Sequence, residues 1–350
     1  MDMLYVEDCC EILDSLRVPI TASEREEGEY PYYGANGIQD HIADYIFDDE
    51  LVLLAEDGGN FGSRERPIAY RVSGKCWVNN HAHVLKPKAG LDVDYLCYSL
   101  MFYKVDGMVN GATRQKLTQA AMRKMQIPLR SMDKQKYIVD VLNHIIKLKE
   151  RRQQELQLLD DLIKARFVEM FGDPVSNSYG LPEATLPELG EFGRGISKHR
   201  PRNDPKLLGG GYPLIQTGDV ANAGLYITSY NSTYSELGLR QSKMWKKGTL
   251  CITIAANIAK TAILTFDACF PDSVVGFTAN EKTNNIFIHY WFLFFQTILE
   301  SQAPESAQKN INLKILSELR VIVPKKEKQD EFVNFIHQVD KSKVVVASVR

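Results

Sequence analysis

A segment that opens a helix occurs twice in this chain, and the duplication constrains the fold more than any other feature. DKQKYIVDVLNHI begins at Asp133 and EKQDEFVNFIHQV begins at Glu327, with the same order of acid, lysine, glutamine and apolar positions. Four further pairs of segments keep their order at a nearly constant offset, among them GATRQKLTQAAMRKMQIPL from Gly111 and ESAQKNINLKILSELRVIV from Glu305. Self-similarity on this scale indicates a duplicated structural unit.

Each copy consists of an irregular, β-rich module followed by a helix. Short β-branched or alternating runs such as DELVLLAED and GTLCITIAA, broken by Gly, Asn and Asp, are typical of strands joined by turns. We therefore predict an α+β fold made of two tandem repeats. The predicted parts are residues 1–132 (module 1), 133–171 (a central helix), 172–180 (a linker), 181–324 (module 2) and 325–350 (a shorter C-terminal helix).

The central helix carries an apolar seam. Asp133 lies in its first turn, where an acid interacts favourably with the helix dipole, and FGDP from Phe171 ends it with a glycine and a proline. Apolar residues that repeat about every 3.5 positions predict a coiled coil, and the helix of the second copy is the obvious partner. The predicted seam residues are Ile138, Leu142, Ile145, Leu156, Leu159, Ile163 and Met170.

Signals for membrane insertion or secretion are not evident. The longest apolar stretch, NIFIHYWFLFFQTIL from Asn285, contains His289 and Gln296 and is too short to cross a bilayer, so we predict a buried helix. The N-terminus has acids where a signal peptide needs positive charge, which favours a cytoplasmic protein. The six cysteines form no CxxC pair, which predicts reduced and mostly buried thiols.

Charge is unevenly distributed along the chain. Residues 114–136 hold seven basic residues and one acid, and residues 194–206 hold five basic residues beside Asp204. Residues 21–60, in contrast, hold eleven acids and a single basic residue, Arg25. This pattern favours basic faces that contact phosphate and an acidic face turned elsewhere. The alternative interpretation of each run is an ordinary solvated surface.

Motifs of known catalytic sites are missing. The chain has no GxxxxGK[ST] loop, no HExxH and no nucleophile elbow, and GEFGRG from Gly190 has the wrong glycine spacing for nucleotide binding. NNHAH places His81 and His83 near Cys76, but no fourth metal ligand is nearby, and ordinary strand residues explain the segment better. The sequence therefore predicts a binding protein rather than an enzyme, with no catalytic residues and no metal.

The duplicated order resembles that of the specificity subunits of type I restriction–modification enzymes. The segments that carry the resemblance are GATRQKL and SAQKNINL, the strands IPL and VIVP, the helix entries DKQ and EKQ, and ARFVEMFGDP at the end of the first helix. The resemblance implies two target-recognition domains, each recognising one half of a split double-stranded DNA site. It also implies that the two helices pair antiparallel as a spacer. The second helix has fewer residues before Arg350, so we expect this pairing to be short.

The resemblance also implies partners and their cofactors. Two methyltransferase subunits would dock on the chain, bind S-adenosylmethionine and methylate adenine at N6. Restriction subunits, with ATP and Mg, would cut the DNA. The chain itself would bind neither cofactor nor metal.

Polar or basic residues in loops flanked by glycine are the candidate DNA contacts, because such groups bind phosphates and base edges. In module 1 they are Tyr32, Tyr33, Asn36, Asn60, Arg64, Arg114, Gln115 and Lys116. In module 2 they are Lys198, Arg200, Arg202, Gln216, Thr217, Asn257, Lys260, Gln308, Lys309 and Asn310. Each of them has the alternative of being an ordinary turn or surface residue, and the Gln-Lys pairs have the alternative of capping a short helix.

Three other functions stay open at this point. The chain could be the recognition subunit of a different restriction–modification complex, whose partner fuses methylation and cleavage. It could be a protein-interaction scaffold that binds no DNA, or an enzyme with an unrecognised site. Salt-sensitive, sequence-selective DNA binding would argue against the scaffold.

Overall fold

The computed structural model of the protein describes residues 2–111, 114–255, 257–302 and 311–348. The chain divides into two compact units, residues 1–150 and residues 151–350. Module 1 lies in the first unit and module 2 in the second. The helix Met132–Phe171 begins in the first unit and ends in the second.

The first unit is built on a six-stranded sheet with the order β2-β7-β5-β6-β3-β4. Its strands are β1 (Met3–Tyr5), β2 (Cys10–Ile12), β3 (Glu27–Gly34), β4 (Gly37–Ile42), β5 (Phe47–Ala55), β6 (Ala69–Val78), β7 (Ala82–Pro87), β8 (Val109–Asn110), β9 (Lys116–Leu117) and β10 (Gln126–Pro128). Its helices are α1 (Val6–Cys9), α2 (Val93–Met101), α3 (Gln119–Arg123) and the beginning of α4 (Met132–Phe171).

Strand β5 is covered on both faces. Val52 and Leu54 belong to the core that contains α2, whereas Leu51 and Leu53 belong to a second cluster on the opposite face. A strand buried on both sides needs a continuous apolar run, which explains the sequence LVLLA. β5 also carries the loop at its end, residues 56–60, from the centre of the sheet.

The second unit contains a five-stranded sheet, β12-β20-β17-β18-β14, and a four-stranded sheet, β15-β13-β19-β16. Its strands are β11 (Glu183–Thr185), β12 (Gly190–Arg194), β13 (Leu208–Leu214), β14 (Tyr226–Ile227), β15 (Ser232–Tyr234), β16 (Met244–Trp245), β17 (Leu250–Thr253), β18 (Thr261–Leu264), β19 (Ala268–Cys269), β20 (Val274–Ala279) and β21 (Arg320–Ile322). Its helices are the end of α4, α5 (Leu186–Leu189), α6 (Thr217–Asn222), α7 (Glu236–Arg240), α8 (Asn285–Gln302), α9 (Leu313–Glu318) and α10 (Lys326–Ser348).

Two expectations about buried residues are confirmed. The apolar stretch from Asn285 forms α8, and its residues Phe287, Ile288 and Trp291 are fully buried. All six cysteines are unpaired and buried. Within the described ranges, no helix has both the length and the apolar character that a bilayer crossing requires.

The registers of the two sheets show that the modules share one scaffold. β2 pairs with β7 at Ile12 and Leu85, and β12 pairs with β20 at Phe192 and Phe277. Beside these pairs, β5 and β17 occupy the same position next to β7 and β20. The two registers match Asp14 with Arg194, Glu56 with Ile254, and His83 with Val275.

The duplicated helix entry is held by a buried glutamine in each copy. The amide of Gln135 donates to the carbonyls of Gly90 and Arg130 at 2.9 Å and accepts from the backbone N–H of Asp92 at 2.8 Å. Gln135 and Gln329 are 1% and 0% exposed. We call these two residues the helix-entry glutamines.

Gln329 makes the corresponding contacts in the second unit. Its amide donates to the carbonyls of Lys282 at 3.0 Å and Pro324 at 2.9 Å, and it accepts from the Thr283 hydroxyl at 2.9 Å. Each glutamine thus bonds the start of a long helix to the loop that precedes the helix packed on its module. This role explains why the sequence pattern at the helix entry is repeated.

In the second unit, the end of α4 pairs with α10 in the antiparallel sense. Arg166 forms an ion pair with Glu331 at 3.2 Å, and Lys343, further along α10, pairs with Asp160, which precedes Arg166. The Phe167 ring lies 5.3 Å from the ring of Phe332. The coiled-coil pairing predicted from the seam is therefore present in this unit.

The predicted seam is only partly the buried face of α4. Ile163 is fully buried, Leu159 and Met170 pack against the same cluster, and Leu156 is half-buried. In the first unit, Ile138 and Leu142 are half-buried, whereas Ile145 is 56% exposed. The structure thus corrects the seam at Ile145. The seam also omitted Phe167 and Phe171, which with Ile163 form the buried stripe at intervals of four, because a straight helix repeats about every 3.6 residues rather than 3.5.

Candidate nucleic-acid interface

In module 1, three loops meet at Gly58. The Asn36 side-chain amide donates to the Gly58 carbonyl at 3.0 Å, and the Gly58 N–H donates to the Gln115 carbonyl at 3.0 Å. Gly58 has a φ of +69°, and a Cβ there would lie 3.1 Å from Nε of Arg114, so a side chain would be strained and crowded. The structure thereby brings together the predicted residues Asn36, Arg114 and Gln115, with Asn60 on the same loop as Gly58.

The two basic side chains of this loop cluster have acidic partners. Arg114 Nε lies 2.6 Å from Asp57 Oδ1, and Lys116 Nζ lies 3.1 Å from Glu56 Oε1. Their side chains are nevertheless 59% and 50% exposed. The acids fix the direction of both cations and offset part of their charge, and the exposed portions stay available to a phosphate.

A cavity of about 540 Å³ lies beside the cluster. It contains the predicted residues Tyr33, Asn36 and Asn60, together with Arg66 and Tyr70. The rings of Tyr33 and Tyr70 are 5.8 Å apart. Among the described residues, no carboxylate lies within ion-pair distance of Arg66. The composition of the cavity suits a base or sugar edge, with aromatic faces, amides and a guanidinium group.

Two predicted residues of module 1 lie elsewhere. Tyr32 is 1% exposed, and its hydroxyl accepts from the Ile20 N–H at 3.1 Å and donates to the Ile20 carbonyl at 3.2 Å. The structure therefore corrects the expectation for Tyr32, which supports the sheet and is not accessible to DNA. Arg64 is exposed, but it lines a separate cavity with Phe102 and Lys104.

Beneath the loop cluster, module 1 contains a network of charged side chains. We call Asp14, Arg17, Glu56, His83 and Lys116 the module 1 ion network. His83 Nδ1 lies 2.7 Å from Asp14 Oδ2, and Arg17 lies 2.6 Å from Glu56 Oε2. Ligand-type atoms of Asp14, Glu56 and His83 lie within 4.8 Å of one another. Because Arg17 and Lys116 already bind these carboxylates, the group is an arrangement of ion pairs rather than a set of metal ligands.

The electrostatics of the network keep both acids ionised. Burial alone would raise the pKa of the Asp14 carboxyl, but the hydrogen bond and charge of His83 outweigh it, and the pKa lies below its ordinary value. Burial also acts to raise the pKa of Glu56, and the Arg17 hydrogen bond, the His83 charge and the Lys116 hydrogen bond reverse that effect. The sequence had grouped His83 with Cys76 and gave no sign of Asp14 or Glu56.

In module 2, three arginines converge on one aspartate. Arg200 pairs with the Asp272 carboxylate at 3.3 Å, and Arg202 pairs with its other oxygen. Arg194 donates to the Asp272 backbone carbonyl. Two guanidinium groups thus share one carboxylate and a third binds the backbone of the same residue, which leaves an excess of positive charge at this surface. Lys198, on the same segment, is exposed.

A cavity of about 320 Å³ adjoins these arginines. It contains the predicted residues Arg202, Gln216 and Thr217 beside Asn203 and Ser273. Gln216 caps α6, with its backbone N–H donating to Asp219 Oδ2 at 2.8 Å, and its side-chain amide donates to the Ser232 hydroxyl at 3.3 Å. The sequence predictions Arg200, Arg202, Gln216 and Thr217 are therefore neighbours in the fold.

The other predictions in module 2 do not join this cluster. Lys260 Nζ lies 3.2 Å from Gln296 Oε1 and lines a different cavity with His289 and Tyr290. Asn257 lies in the turn between β17 and β18. Gln308, Lys309 and Asn310 lie outside the described residues.

The loops of both modules occupy the same edge of the scaffold. β3 runs parallel to β6 with Tyr32 opposite Trp77, and β13 runs parallel to β19 with Leu214 opposite Cys269. The loop at Asn36 and the loop at Gln216–Thr217 therefore follow equivalent strands. The turns that follow β5 and β17 are equivalent in the same way.

Comparison with known proteins identifies a family. The family model of the type I restriction modification DNA specificity domain matches residues 2–158 and again residues 183–345. A putative type I restriction enzyme specificity subunit of Haemophilus influenzae is 27% identical over 343 residues, which cover 96% of this chain and 86% of that protein. The putative MjaX specificity subunit of Methanocaldococcus jannaschii is 20% identical over 276 residues, 73% of this chain and 64% of that protein.

Solved structures show the same fold. The crystal structure of a type I restriction–modification system S subunit from M. genitalium has a TM-score of 0.58 at 13% identity and covers 99% of this chain and 91% of that one. A chain from a study of complex assembly and conformational transition of the type I R-M system has a TM-score of 0.52 at 13% identity, covering 99% and 92%. With two copies of its domain on one duplicated scaffold, the chain belongs to the type I restriction–modification DNA specificity family, whose members recognise DNA and are not catalytic.

Proposed function

We propose that this chain gives a type I restriction–modification enzyme its DNA sequence specificity by recognising a split site. Module 1 would recognise one half of the double-stranded site and module 2 the other half. The observation that carries the proposal is that equivalent loops, after β3 and β5 in module 1 and after β13 and β17 in module 2, hold polar and basic side chains at the same edge. One backbone frame can thus present different side chains to two DNA sequences.

The proposed contacts divide between phosphates and bases. Guanidinium and ammonium groups bind phosphates and guanine, and side-chain amides bind adenine. The residues proposed to contact DNA in module 1 are Tyr33, Asn36, Asn60, Arg66, Arg114, Gln115 and Lys116. Those in module 2 are Lys198, Arg200, Arg202, Gln216, Thr217 and Asn257. Arg64 and Lys260 line other cavities, and we propose them only as outlying phosphate contacts.

Helix α4 is the proposed docking surface for partner subunits. An exposed apolar stripe follows one face of its first half at intervals of four, four and three residues. Its members are Tyr137, Val141, Ile145 and Leu148, which are between 40% and 60% exposed. An apolar stripe in water is typical of a surface that another protein covers.

The proposed occupants of this surface are two methyltransferase subunits, which would supply S-adenosylmethionine and methylate adenine at N6. Restriction subunits would add cleavage that depends on ATP and Mg. The chain itself would bind no cofactor, and its proposed site of action is the cytoplasm.

The decisive experiment maps adenine methylation across the genome of cells that contain the methyltransferase subunit, with and without this chain. We expect a split motif that is methylated only when the chain is present. If no adenine mark depends on the chain, the specificity function is wrong, and a protein-interaction scaffold becomes the leading alternative.

Exchange of one module tests the division of labour. Replacement of residues 1–130 by the corresponding module of a relative should change one half of the motif and leave the other half as it was. A change in both halves would contradict the assignment of one half-site to each module.

A further inference from the structure

Both ring nitrogens of His83 take part in hydrogen bonds. The residue is 0% exposed, its Nδ1 lies 2.7 Å from Asp14 Oδ2, and its Nε2 lies 2.9 Å from the Leu117 carbonyl oxygen. The Leu117 carbonyl oxygen only accepts, so Nε2 donates the proton of that bond. The ring thus connects Asp14, through Nδ1, to the backbone of Leu117, through Nε2.

The segment that His83 holds carries the exposed cations of module 1. Leu117 is in β9, and its N–H donates to the Glu56 carbonyl at 2.7 Å while its carbonyl accepts from His83. Both backbone groups of this one residue are therefore fixed by the end of β5 and by β7. Lys116 directly precedes Leu117 and Arg114 lies three residues before it, so the positions of both depend on the position of Leu117.

The network is arranged so that Lys116 can leave it. Glu56 is bound by Lys116 at Oε1 and by Arg17 at Oε2, and His83 Nδ1 lies 3.6 Å from the same Oε2. If Lys116 moves to a DNA phosphate, the Arg17 guanidinium still pairs with Glu56. Asp14 keeps the Gln119 amide at 2.9 Å and the Val84 N–H at 2.9 Å. The support under β9 thus stays intact when the cation above it binds DNA.

Module 2 provides an internal comparison. The positions equivalent to Asp14, Glu56 and His83 are Arg194, Ile254 and Val275, so the side chains of the network have no counterpart there. The backbone hydrogen bond remains, since the Ile311 N–H donates to the Ile254 carbonyl at 3.0 Å. The side-chain support from His83 is thus specific to module 1.

We infer that His83 is a positioning residue for DNA recognition by module 1. It contacts Asp14 and Leu117, holds the segment with Arg114, Gln115 and Lys116 in place, and thereby sets discrimination at one half-site without touching DNA. This inference rests on the proposed function and names a determinant that serves only one of the two half-sites.

Two substitutions distinguish the contributions of the two hydrogen bonds that the His83 ring makes. His83→Asn keeps an amide N–H near the Nδ1 position but has no donor near Nε2, whereas His83→Gln extends an amide to the Nε2 position. The full chain with its methyltransferase subunits is tested on duplexes with the mapped motif, a base change in the module 1 half, a base change in the module 2 half, or an unrelated sequence. Thermal unfolding of each variant is measured in parallel.

We expect His83→Asn to reduce discrimination between the correct and the changed module 1 half about tenfold, which corresponds to the displacement of one base contact. Discrimination at the module 2 half should not change, and His83→Gln should retain most of the module 1 discrimination. Equal loss at both halves, no loss in His83→Asn, or a loss that follows the unfolding temperature in both variants would overturn the inference. If either variant does not fold, Gln119→Ala removes one bond to Asp14 and should cause a smaller loss confined to the same half.

The experiment also separates this inference from the function on which it depends. If the unaltered complex shows no preference for the motif over the unrelated duplex, the proposed function fails. If it shows the preference and the two His83 variants keep it, only the positioning role fails.

Discussion

At the end of its central strand, module 1 has Glu56 where module 2 has Ile254, and on the neighbouring strand it has His83 where module 2 has Val275. In module 1, ion pairs surround Glu56 and His83. In module 2, Ile254 and Val275 belong to an apolar cluster. Both modules nevertheless keep the same backbone hydrogen bond. The Leu117 N–H donates to the Glu56 carbonyl in module 1, and the Ile311 N–H donates to the Ile254 carbonyl in module 2. The backbone bond therefore belongs to the shared scaffold, and the side chains beneath it were free to diverge.

The two solutions differ in what they contribute. Replacing a buried ion network by packed apolar side chains is often neutral or stabilising, whereas removing one partner of the network costs about 3–5 kcal/mol. The module 1 ion network is consequently poor evidence for extra stability. Its ion pairs fix the positions of the side chains around Lys116, whereas Ile254 and Val275 in module 2 stabilise the fold by burying apolar surface.

The largest effect should come from the aromatic core of the second unit. Phe167 is fully buried, and its ring lies 5.4 Å from Phe287 and 5.3 Å from Phe332. Phe167→Ala should lower the free energy of unfolding by about 3–5 kcal/mol, because it leaves a cavity among large rings. Hydrogen exchange read by mass spectrometry would place the loss in the second unit.

Leu158→Ala is the matched control on the same helix. Leu158 is 67% exposed, so its truncation should change the unfolding free energy by less than about 0.5 kcal/mol. If Phe167→Ala weakened β5 of module 1 as much as β20 of module 2, the two units would not be energetically distinct.

Acid should weaken the two units in different pH windows. Burial lowers the pKa of His289 in the second unit from 6.5 to about 4, so the unfolded chain binds a proton below pH 6.5 that the folded unit does not. The second unit should therefore lose about 3 kcal/mol as the pH falls from 6.5 to 4, with Asp340, whose pKa is raised by burial, acting in the opposite direction.

In module 1 the pKa values of Asp14 and Glu56 lie below their ordinary values of 3.8 and 4.5. Their contribution is complete above those ordinary values and is lost as the pH falls through the lowered ones. Hydrogen exchange should show weaker protection at pH 5 than at pH 7 in the second unit alone, and His289→Gln should remove that difference. Earlier loss in the first unit would contradict the contrast.

Removal of either helix-entry glutamine should lower the free energy of unfolding of its own unit by about the same amount. Gln135→Ala and Gln329→Ala each remove a buried amide and leave its three hydrogen-bonding partner groups without it. We expect each substitution to cost about 2–3 kcal/mol in its own unit, measured by urea unfolding. Gln157→Ala, at an exposed position of α4, serves as the control and should be nearly neutral. A large difference between the two units would mean that the shared entry has diverged as well.

The smallest effects concern phosphate contacts. Lys116 belongs to a network that contains two carboxylates, Asp14 and Glu56, whereas Arg200 and Arg202 share the single carboxylate of Asp272. Arg202→Ala should therefore weaken binding to any duplex and reduce the slope of log affinity against log salt by about one, and Lys116→Ala should do less. Lys246→Ala, at an 83% exposed position paired with Asp267, is the control. Equal slopes for all three variants would contradict the difference in charge.

Features written locally in the sequence were predictable. The duplication, the α+β repeats and α4, which begins at Met132 and ends at Phe171, follow from repeated motifs, apolar spacing and a terminating FGDP. The candidate residues Asn36, Asn60 and Arg114 proved to be neighbours because glycine-rich loops at strand ends collect at one edge of a sheet. Whether these residues contact DNA remains a prediction.

Features that depend on register or long-range pairing were not predictable. Tyr32 and Tyr33 are adjacent in β3, and only the strand register decides which of them faces the core. His83 binds Asp14 across 69 positions of sequence, and no local pattern connects them. A signal for the helix-entry glutamines was present, because Gln follows acid-Lys in both copies, but the repeat alone did not tell which of the three residues is buried.

The bonds of the helix-entry glutamines also bear on how such a protein can evolve. Most of their partners in the adjoining loops are main-chain atoms, namely the carbonyls of Gly90, Arg130, Lys282 and Pro324 and the N–H of Asp92. Main-chain carbonyls are present whichever side chain a residue carries, so the joint between module and helix places few demands on the module's sequence. Genes that recombine at this joint would pass on intact modules, and a host would acquire a new DNA specificity in one step without altering either long helix.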